Sequence, residues 1–151
     1  MRTALNSVIT LVWGLWFGGV LTLFLTVTAI FAAFPTQHAV AGDAARHVFR
    51  VFNAYQLALA AVALLATFAW CLLGRGKLKL GLFLLFSLTT FAACVITMYV
   101  APQIELMHEK GLAQTPEFMR MHGYSMVLYL GEAVMLLIAG LFLPWMRERQ
   151  G

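Results

Sequence analysis

The sequence predicts an all-α protein, a four-helix bundle that crosses a membrane, from its composition and from four long apolar runs. Of the 151 residues, 62% are hydrophobic and 11% are charged, and the mean hydropathy is +0.87. A soluble domain carries about a quarter charged residues, so this chain lacks the polar side chains needed to cover a surface in water. The lipid bilayer is therefore the expected solvent and the first expected partner.

The four apolar runs are each long enough to span a bilayer, which takes about 20 residues at 1.5 Å per residue. We predict a single transmembrane domain over residues 1–151, with an up-down-up-down course and helices that extend beyond the membrane on its outer side. The first run is about twice as long as the apolar core of a secretory signal peptide. We therefore expect that it is not cleaved off and that it forms the first helix. The predicted helices cover about residues 5–34, 44–73, 78–110 and 116–146.

Prolines, glycines and capping residues place the ends of these helices. Pro35 is expected to end the first helix, because a proline disfavours helical geometry in the residue before it. Asp43 is a candidate N-cap for the second helix. Pro102 predicts a kink in the third helix, and Gly111 is typical of the position after a helix C-terminus. Thr115, which precedes a proline and an acid, is the expected N-cap of the fourth helix.

The distribution of lysine and arginine predicts an orientation. Six basic residues lie close to one end of the apolar runs and four lie near the other end. Since cytoplasmic loops are enriched in Lys and Arg, we predict a multi-pass protein of the bacterial inner (plasma) membrane with both termini in the cytoplasm. The basic residues are clustered and form no continuous face, so nucleic acid is not an expected partner. The six are Arg2, Arg75, Lys77, Lys79, Arg147 and Arg149; the four are Arg46, Arg50, Lys110 and Arg120.

Small residues recur at helical spacing in the first three helices. Lipid tails give no hydrophobic drive between helices, so membrane bundles cohere where small residues allow close approach. We therefore expect these faces to pack inside the bundle, and Gly18→Leu to destabilise it. The faces comprise Gly14, Gly18, Thr22 and Thr26 in the first helix, Ala54, Ala58 and Ala61 in the second, and Ser87, Thr90, Cys94, Thr97 and Ala101 in the third.

Polar residues at the predicted outer end form the candidate binding surface. Glu105 and His122 fall within about one helical turn of the same height, counting 1.5 Å per residue outward from the membrane. We expect their side chains to lie together, with Arg50 or His47 of the second helix approaching from the side. Pro102 and Ser125 belong to the same candidate surface.

Two roles are open to Arg46 and Arg50, which lie four residues apart on one face of the second helix. They could form ion pairs across the bundle with Glu105 or Glu109. They could also anchor the helix at lipid headgroups.

The histidines raise a metal or haem site as an alternative. Glu105 and His108 have the Glu-x-x-His spacing of di-iron bundles, but those sites need two such pairs and two further carboxylates. Imidazole with nearby thioethers would suit Cu(I). The other interpretation is that histidines fall in the outer loops because most polar residues do. We expect no cofactor, and keep haem or copper, on His47, His108, His122 and Glu105, as the alternative.

Glu132 is an ionisable residue well inside the fourth apolar run. A carboxylate in hydrocarbon costs about 3 kcal/mol on insertion scales, so Glu132 should face the bundle interior or a water-filled cavity. Two interpretations stay open. The residue is a proton or cation site, or it is a structural glutamate that is protonated or bonded to a Ser or Thr hydroxyl.

Several segments resemble one known family. They are Trp16-Phe17-Gly18-Gly19, Phe49-x-x-Phe52-x-x-Tyr55, Val100-Ala101-Pro102-Gln103-Ile104-Glu105 and Phe118-Met119-Arg120-Met121-His122-Gly123-Tyr124-Ser125. The family they resemble is the bacterial domain of unknown function related to animal transmembrane protein 205. The resemblance implies a four-span membrane protein and brings no established activity.

The architecture is also distantly similar to the copper-resistance D family and to the membrane protoporphyrinogen-oxidase family. Those families rely on histidines within or at the ends of their spans, and His122 is the position that this similarity carries over. The first helix has no histidine, which does not match an intramembrane haem site.

Taken together, these observations predict a non-enzymatic membrane protein whose outer rim binds a ligand or docks a partner, either another protein or a second copy. The sequence has no phosphate loop, nucleophile triad or Cys-x-x-Cys pair, so no such enzyme class is supported. A protein that handles copper or haem is the alternative.

The orientation is testable with topology reporters. Fusions at Gly76 and at the C-terminus should report the cytoplasm, because the basic residues cluster there, and a fusion at Gly111 should report the outside. Paired alkaline phosphatase and fluorescent-protein fusions measure this. A cytoplasmic signal at Gly111 would contradict the orientation.

Overall fold

The computed structural model is helical along most of the residues it describes, which are 2–74, 76–113 and 115–145, and these ranges contain no strand. Four helical stretches are long and apolar enough to cross a membrane, which confirms the all-α class. The helices are α1 (Arg2–Ala33), α2 (His38–Leu72), α3 (Lys77–Val95), α4 (Ala101–Glu109) and α5 (Pro116–Phe142), with a π-helical turn at Ile96–Val100 between α3 and α4.

Three predicted helix ends agree with the structure. α1 ends at Ala33, just before Pro35. Gly111 follows α4 with a φ of 70°, in the left-handed region that favours glycine. Thr115 caps α5, since its hydroxyl oxygen accepts a hydrogen bond from the Phe118 N–H at 3.3 Å. Local capping signals therefore set these ends.

α2 begins earlier than predicted. Its first residue is His38, and Gln37 takes the N-cap position without a side-chain cap. The Asp43 carboxylate, the predicted cap, instead bonds to Arg46 and His108. The Asp43 carboxylate therefore bonds to one residue of its own helix and one of α4, and it does not cap the N-terminus of α2.

At the position of the predicted kink, the structure has a π-helical turn just before Pro102. Pro102 lies at the start of α4, and the Ala101 N–H bonds to the Ile96 carbonyl, five residues back. A proline has no N–H and its ring clashes with the carbonyl four residues earlier. The wider turn relieves that clash without ending the helix.

α5 ends at Phe142, four residues before its predicted end. Leu143 keeps helical backbone angles, but Pro144 has no N–H to continue the helical hydrogen bonds. Met146, the predicted last residue, lies outside the described residues.

The small-residue faces of the first two helices do not form the core, contrary to prediction. Gly14 and Thr22 are exposed, and a Cβ added at Gly18 would meet no other side chain or helix within 4 Å. α1 packs through larger side chains because a bundle interior must be filled and voids are costly. The residues of the hydrophobic core cluster are Ile9, Val12, Trp16, Val20 and Leu23 in α1 and Phe52, Leu59, Ala60, Ala63, Ala66 and Trp70 in α2.

Close approach of two helices occurs instead at Gly140, where α5 meets α1. The Trp13 indole N–H donates to the Leu136 carbonyl at 2.6 Å, which holds the ring across the Gly140 backbone. A Cβ at Gly140 would overlap that ring. The glycine is therefore required by packing between helices.

Gly140→Ala should lower the free energy of unfolding by about 1–3 kcal/mol, the usual cost of overpacking. Gly18→Ala is the matched control and should leave it unchanged, because that position is open. Chemical or thermal unfolding of the detergent-solubilised protein measures both. Equal stability of the two variants would contradict this account of the α1–α5 contact.

Candidate functional site

One candidate site is the rim, the end of the bundle formed by residues 38–50 of α2, by α4 and by residues 116–122 of α5. Arg50 of α2 forms a hydrogen-bonded ion pair with Glu105 of α4. Arg46 approaches the same carboxylate at 3.9 Å and the Asp43 carboxylate at 3.3 Å. Of the two roles predicted for these arginines, the structure shows the ion pairs across the bundle.

A second contact between α2 and α4 involves Asp43 and the histidines. The His108 Nε2 lies 3.1 Å from the Asp43 Oδ1, and the His47 Nδ1 lies 2.8 Å from the Asp43 backbone oxygen. Together with the Glu105 pairs, the Asp43–His108 contact joins α2 to α4 at two levels, which are one turn apart in α4 and about two turns apart in α2. Ion pairs and hydrogen bonds therefore connect α2 to α4 at the rim, and we call this connected surface the ion-paired platform.

His122 does not share in this network. Its ring stacks on Phe118 one turn earlier in α5, with centroids 6.2 Å apart and planes at 3°. The ion pairs of Glu105 within the described residues go to Arg46 and Arg50, so the predicted pairing of Glu105 with His122 is not seen. Charge-assisted bonds from guanidinium groups are strong, and they occupy the carboxylate.

Ser125 and Pro102 also lie apart from the ion pairs. Ser125 is buried, and its hydroxyl donates to the His122 backbone carbonyl at 2.8 Å within α5. Pro102 is exposed at the start of α4. Neither residue contributes a polar atom to the rim network.

The residues predicted for a metal site do not converge. Across the described part of the chain, no group of three or more His, Cys, Asp or Glu side chains could hold a metal ion. Glu105 is bonded to arginine, and a guanidinium beside a carboxylate disfavours a second cation there. The set of His47, His108, His122 and Glu105 is therefore not assembled.

A second candidate site lies in the bundle interior, where polar side chains from three helices meet. The Tyr129 hydroxyl of α5 donates to the Asn53 side-chain oxygen of α2 at 2.6 Å. The Gln56 side-chain N–H donates to the same oxygen at 3.1 Å and lies 3.4 Å from the Thr97 hydroxyl in the π-helical turn. We call these four residues the polar core.

Glu132 lies beside the polar core, one turn after Tyr129 in α5. It is fully buried, at 0% exposure, and faces the interior. Both carboxylate oxygens lack a hydrogen-bond partner among the described residues, so the predicted Ser or Thr bond is not present. The Gln56 side-chain oxygen and the Trp16 indole N–H are buried and unpartnered as well. Three fully buried side chains thus carry unsatisfied polar atoms.

Sequence reasoning missed the polar core. A signal was available, since Asn53 and Gln56 are amides three residues apart inside an apolar helix, and such side chains hydrogen-bond across membrane helices. The role of Tyr129 had no local signal, because tyrosine is also common at membrane interfaces.

A bundle of apolar helices with a hydrogen-bonded polar interior and charges at its ends defines a multi-pass integral membrane protein. Residues 11–113 match the family model described as Domain of unknown function (DUF4149). This match covers more than half of the chain, so the protein belongs to that family. Searches of curated proteins and of solved structures gave no match.

Tyr129→Phe should lower the free energy of unfolding by about 1 kcal/mol, because it removes the donor to Asn53 in a site without water. Tyr124→Phe is the matched control on the same helix. Tyr124 is exposed, so its variant should match the wild type. Unfolding in detergent measures the stability of both variants. If Tyr129→Phe has the same free energy of unfolding as the wild type, the bond to Asn53 does not stabilise the core.

Proposed function

We propose that this protein is a non-enzymatic component of the bacterial inner membrane whose rim docks a protein partner. The observation that carries the proposal is a set of exposed apolar side chains on the hairpin of α4 and α5, next to the ion-paired platform. Leu106 is 43% exposed, Leu112 is 42% exposed and Met119 is 60% exposed.

These apolar side chains lie in a polar part of the chain. They alternate with residues such as Glu109, Lys110 and Glu117, so this hairpin fits water or the headgroup region better than hydrocarbon. Single exposed apolar residues are ordinary on protein surfaces, whereas several on one hairpin suit an interaction site.

The ion pairs support docking by holding the hairpin in one position. Arg50 and Glu105 join α2 to α4, and Asp43 and His108 add a second connection. A pre-ordered surface loses less conformational entropy when it binds. Arg50 is exposed at the edge of this platform, where its remaining N–H groups are available to a partner.

The orientation and topology belong to the same proposal. We place both termini in the cytoplasm and the rim outside, with an up-down-up-down course in which the helices extend beyond the membrane at the rim. The pairing of Tyr55 with Leu15 and of Phe52 with Gly19 supports opposite directions for α1 and α2. We also propose kinship with animal transmembrane protein 205. Copper or haem handling has no comparable support.

Site-specific photo-crosslinking in cells tests the docking surface. A photoreactive amino acid at Met119 should give one discrete protein adduct. The same probe at Leu141, which is 67% exposed near the other end of α5, is the control and should give none. The mass of the adduct distinguishes a different protein from a second copy of this chain.

The apolar side chains should decide the strength of this contact. With the probe at Met119, the double variant Leu106→Gln and Leu112→Gln should reduce the adduct several-fold, because buried apolar area drives association. Equal adducts at Met119 and Leu141, or an adduct indifferent to the double variant, would show that the hairpin is not the docking surface.

A further inference from the structure

We propose that Glu132, Gln56 and Trp16 form a proton-binding site in the middle of the bundle, in which the Glu132 carboxyl group takes up and releases the proton. The inference does not depend on the rim or on any partner. It rests on where the three side chains lie and on which of their polar atoms have no partner.

Contacts between helices place Gln56 and Glu132 at one height. Asn53 of α2 bonds to Tyr129 of α5, and the ring of Phe52 packs against that of Tyr129, with centroids 6.1 Å apart. Gln56 lies three residues after Asn53, and Glu132 lies three residues after Tyr129. Since the two helices run in parallel through this contact, both side chains lie about one turn further along.

Trp16 of α1 reaches the same height. Gly19 lies against Phe52 at the level of Tyr129, and Trp13 bonds to Leu136. Trp16 lies midway between Trp13 and Gly19 in α1. Glu132 lies between Leu136 and Tyr129 in α5, which are at the heights of Trp13 and Gly19. Trp16, Gln56 and Glu132 are each 0% exposed, so each is fully enclosed by the bundle at this level.

The unpartnered atoms of these side chains complement a protonated carboxyl group. Gln56 has a free acceptor oxygen, Trp16 has a free indole N–H donor, and Glu132 has two free oxygens. A protonated Glu132 has one O–H to donate to Gln56 and a carbonyl oxygen to accept from Trp16. An ionised Glu132 has no donor, so the Gln56 oxygen would stay unsatisfied and would face a negative charge.

The surroundings favour a proton over a metal cation. The buried polar side chains of the described residues are Asn6, Asn53, Gln56, Thr67, Thr89 and Ser125 besides Glu132, and none of these six carries a charge. A sodium or calcium ion needs about six oxygen ligands, whereas the free oxygens here belong to Glu132 and Gln56. The indole N–H of Trp16 is a donor only and offers no ligand to such an ion.

The polar groups near this level on α1, α2, the π-helical turn and α5 are neutral, apart from the carboxyl itself. They are Trp16 from α1, Asn53 and Gln56 from α2, Thr97 from the π-helical turn and Tyr129 from α5. Arg50, the nearest charged residue along α2, lies one turn before Asn53 and is bonded to Glu105 at the rim. The titration of Glu132 is therefore set by its own surroundings in the polar interior.

The polar core extends from the level of Gln56 and Tyr129 toward the rim. Asn53 lies one turn inward from Arg50, and Gln56 and Tyr129 both bond to it. Thr97 continues the contact into the π-helical turn, a place where helices can change their hydrogen-bond pattern.

Infrared difference spectroscopy of the full chain in detergent tests the site. The wild type should show the carbonyl stretching band of a protonated carboxyl group, and the band should disappear as the pH is raised. Glu132→Gln is nearly isosteric and should lack the band. Trp16→Phe removes the N–H donor, so the band should remain and shift to higher frequency.

Three results would overturn the proposal. One is the absence of the band at every pH at which the protein is folded, since Glu132 would then be ionised. A band that persists unchanged across that pH range would show a permanently protonated structural residue. Loss of the band on adding sodium chloride, but not choline chloride, at constant pH would identify a cation as the ligand.

Discussion

The structure depends on one constraint, that lipid offers no hydrogen bonds, so polar groups between the two ends of the bundle can find partners only in the protein. Some hydroxyl groups meet this constraint within their own helices. Thr67 donates to the Ala63 carbonyl, Ser87 to the Phe83 carbonyl and Thr89 to the Leu85 carbonyl. Amides and tyrosine have longer side chains and meet it between helices, which is why the polar core connects α2, α5 and the π-helical turn.

At the two ends of the bundle, water can supply hydrogen bonds, and most of the charged residues lie at these ends. At the rim, the Arg50–Glu105 pair connects α2 to α4. At the opposite end, the Lys79 ammonium group donates to the Trp70 carbonyl at 3.0 Å and lies 5.0 Å from the centre of the Trp70 ring. Exposed pairs of this kind contribute little stability, so their role is to position helix ends. Glu132 is the exception, an acid held within the apolar interior.

α2 connects the two candidate sites, and the π-helical turn allows it to do so. Thr97 contacts Gln56 and Glu105 contacts Arg50, so both face α2. In an uninterrupted α-helix, residues eight apart lie about 80° apart around the axis at 3.6 residues per turn. The π-helical turn before Pro102 accommodates about one extra residue and brings Thr97 and Glu105 onto one face.

The sequence by itself determined the four apolar helices, most of their ends and the inward position of Glu132, because hydrophobic length, capping and the cost of a charge in lipid are local properties. Tertiary structure decided which face of α1 is buried, where Asp43 bonds and that Glu105 pairs with Arg50 rather than His122. It also buried Gln56, Trp16 and Glu132 completely. These outcomes depend on the rotation of each helix about its own axis, which is set by packing between residues far apart in the chain.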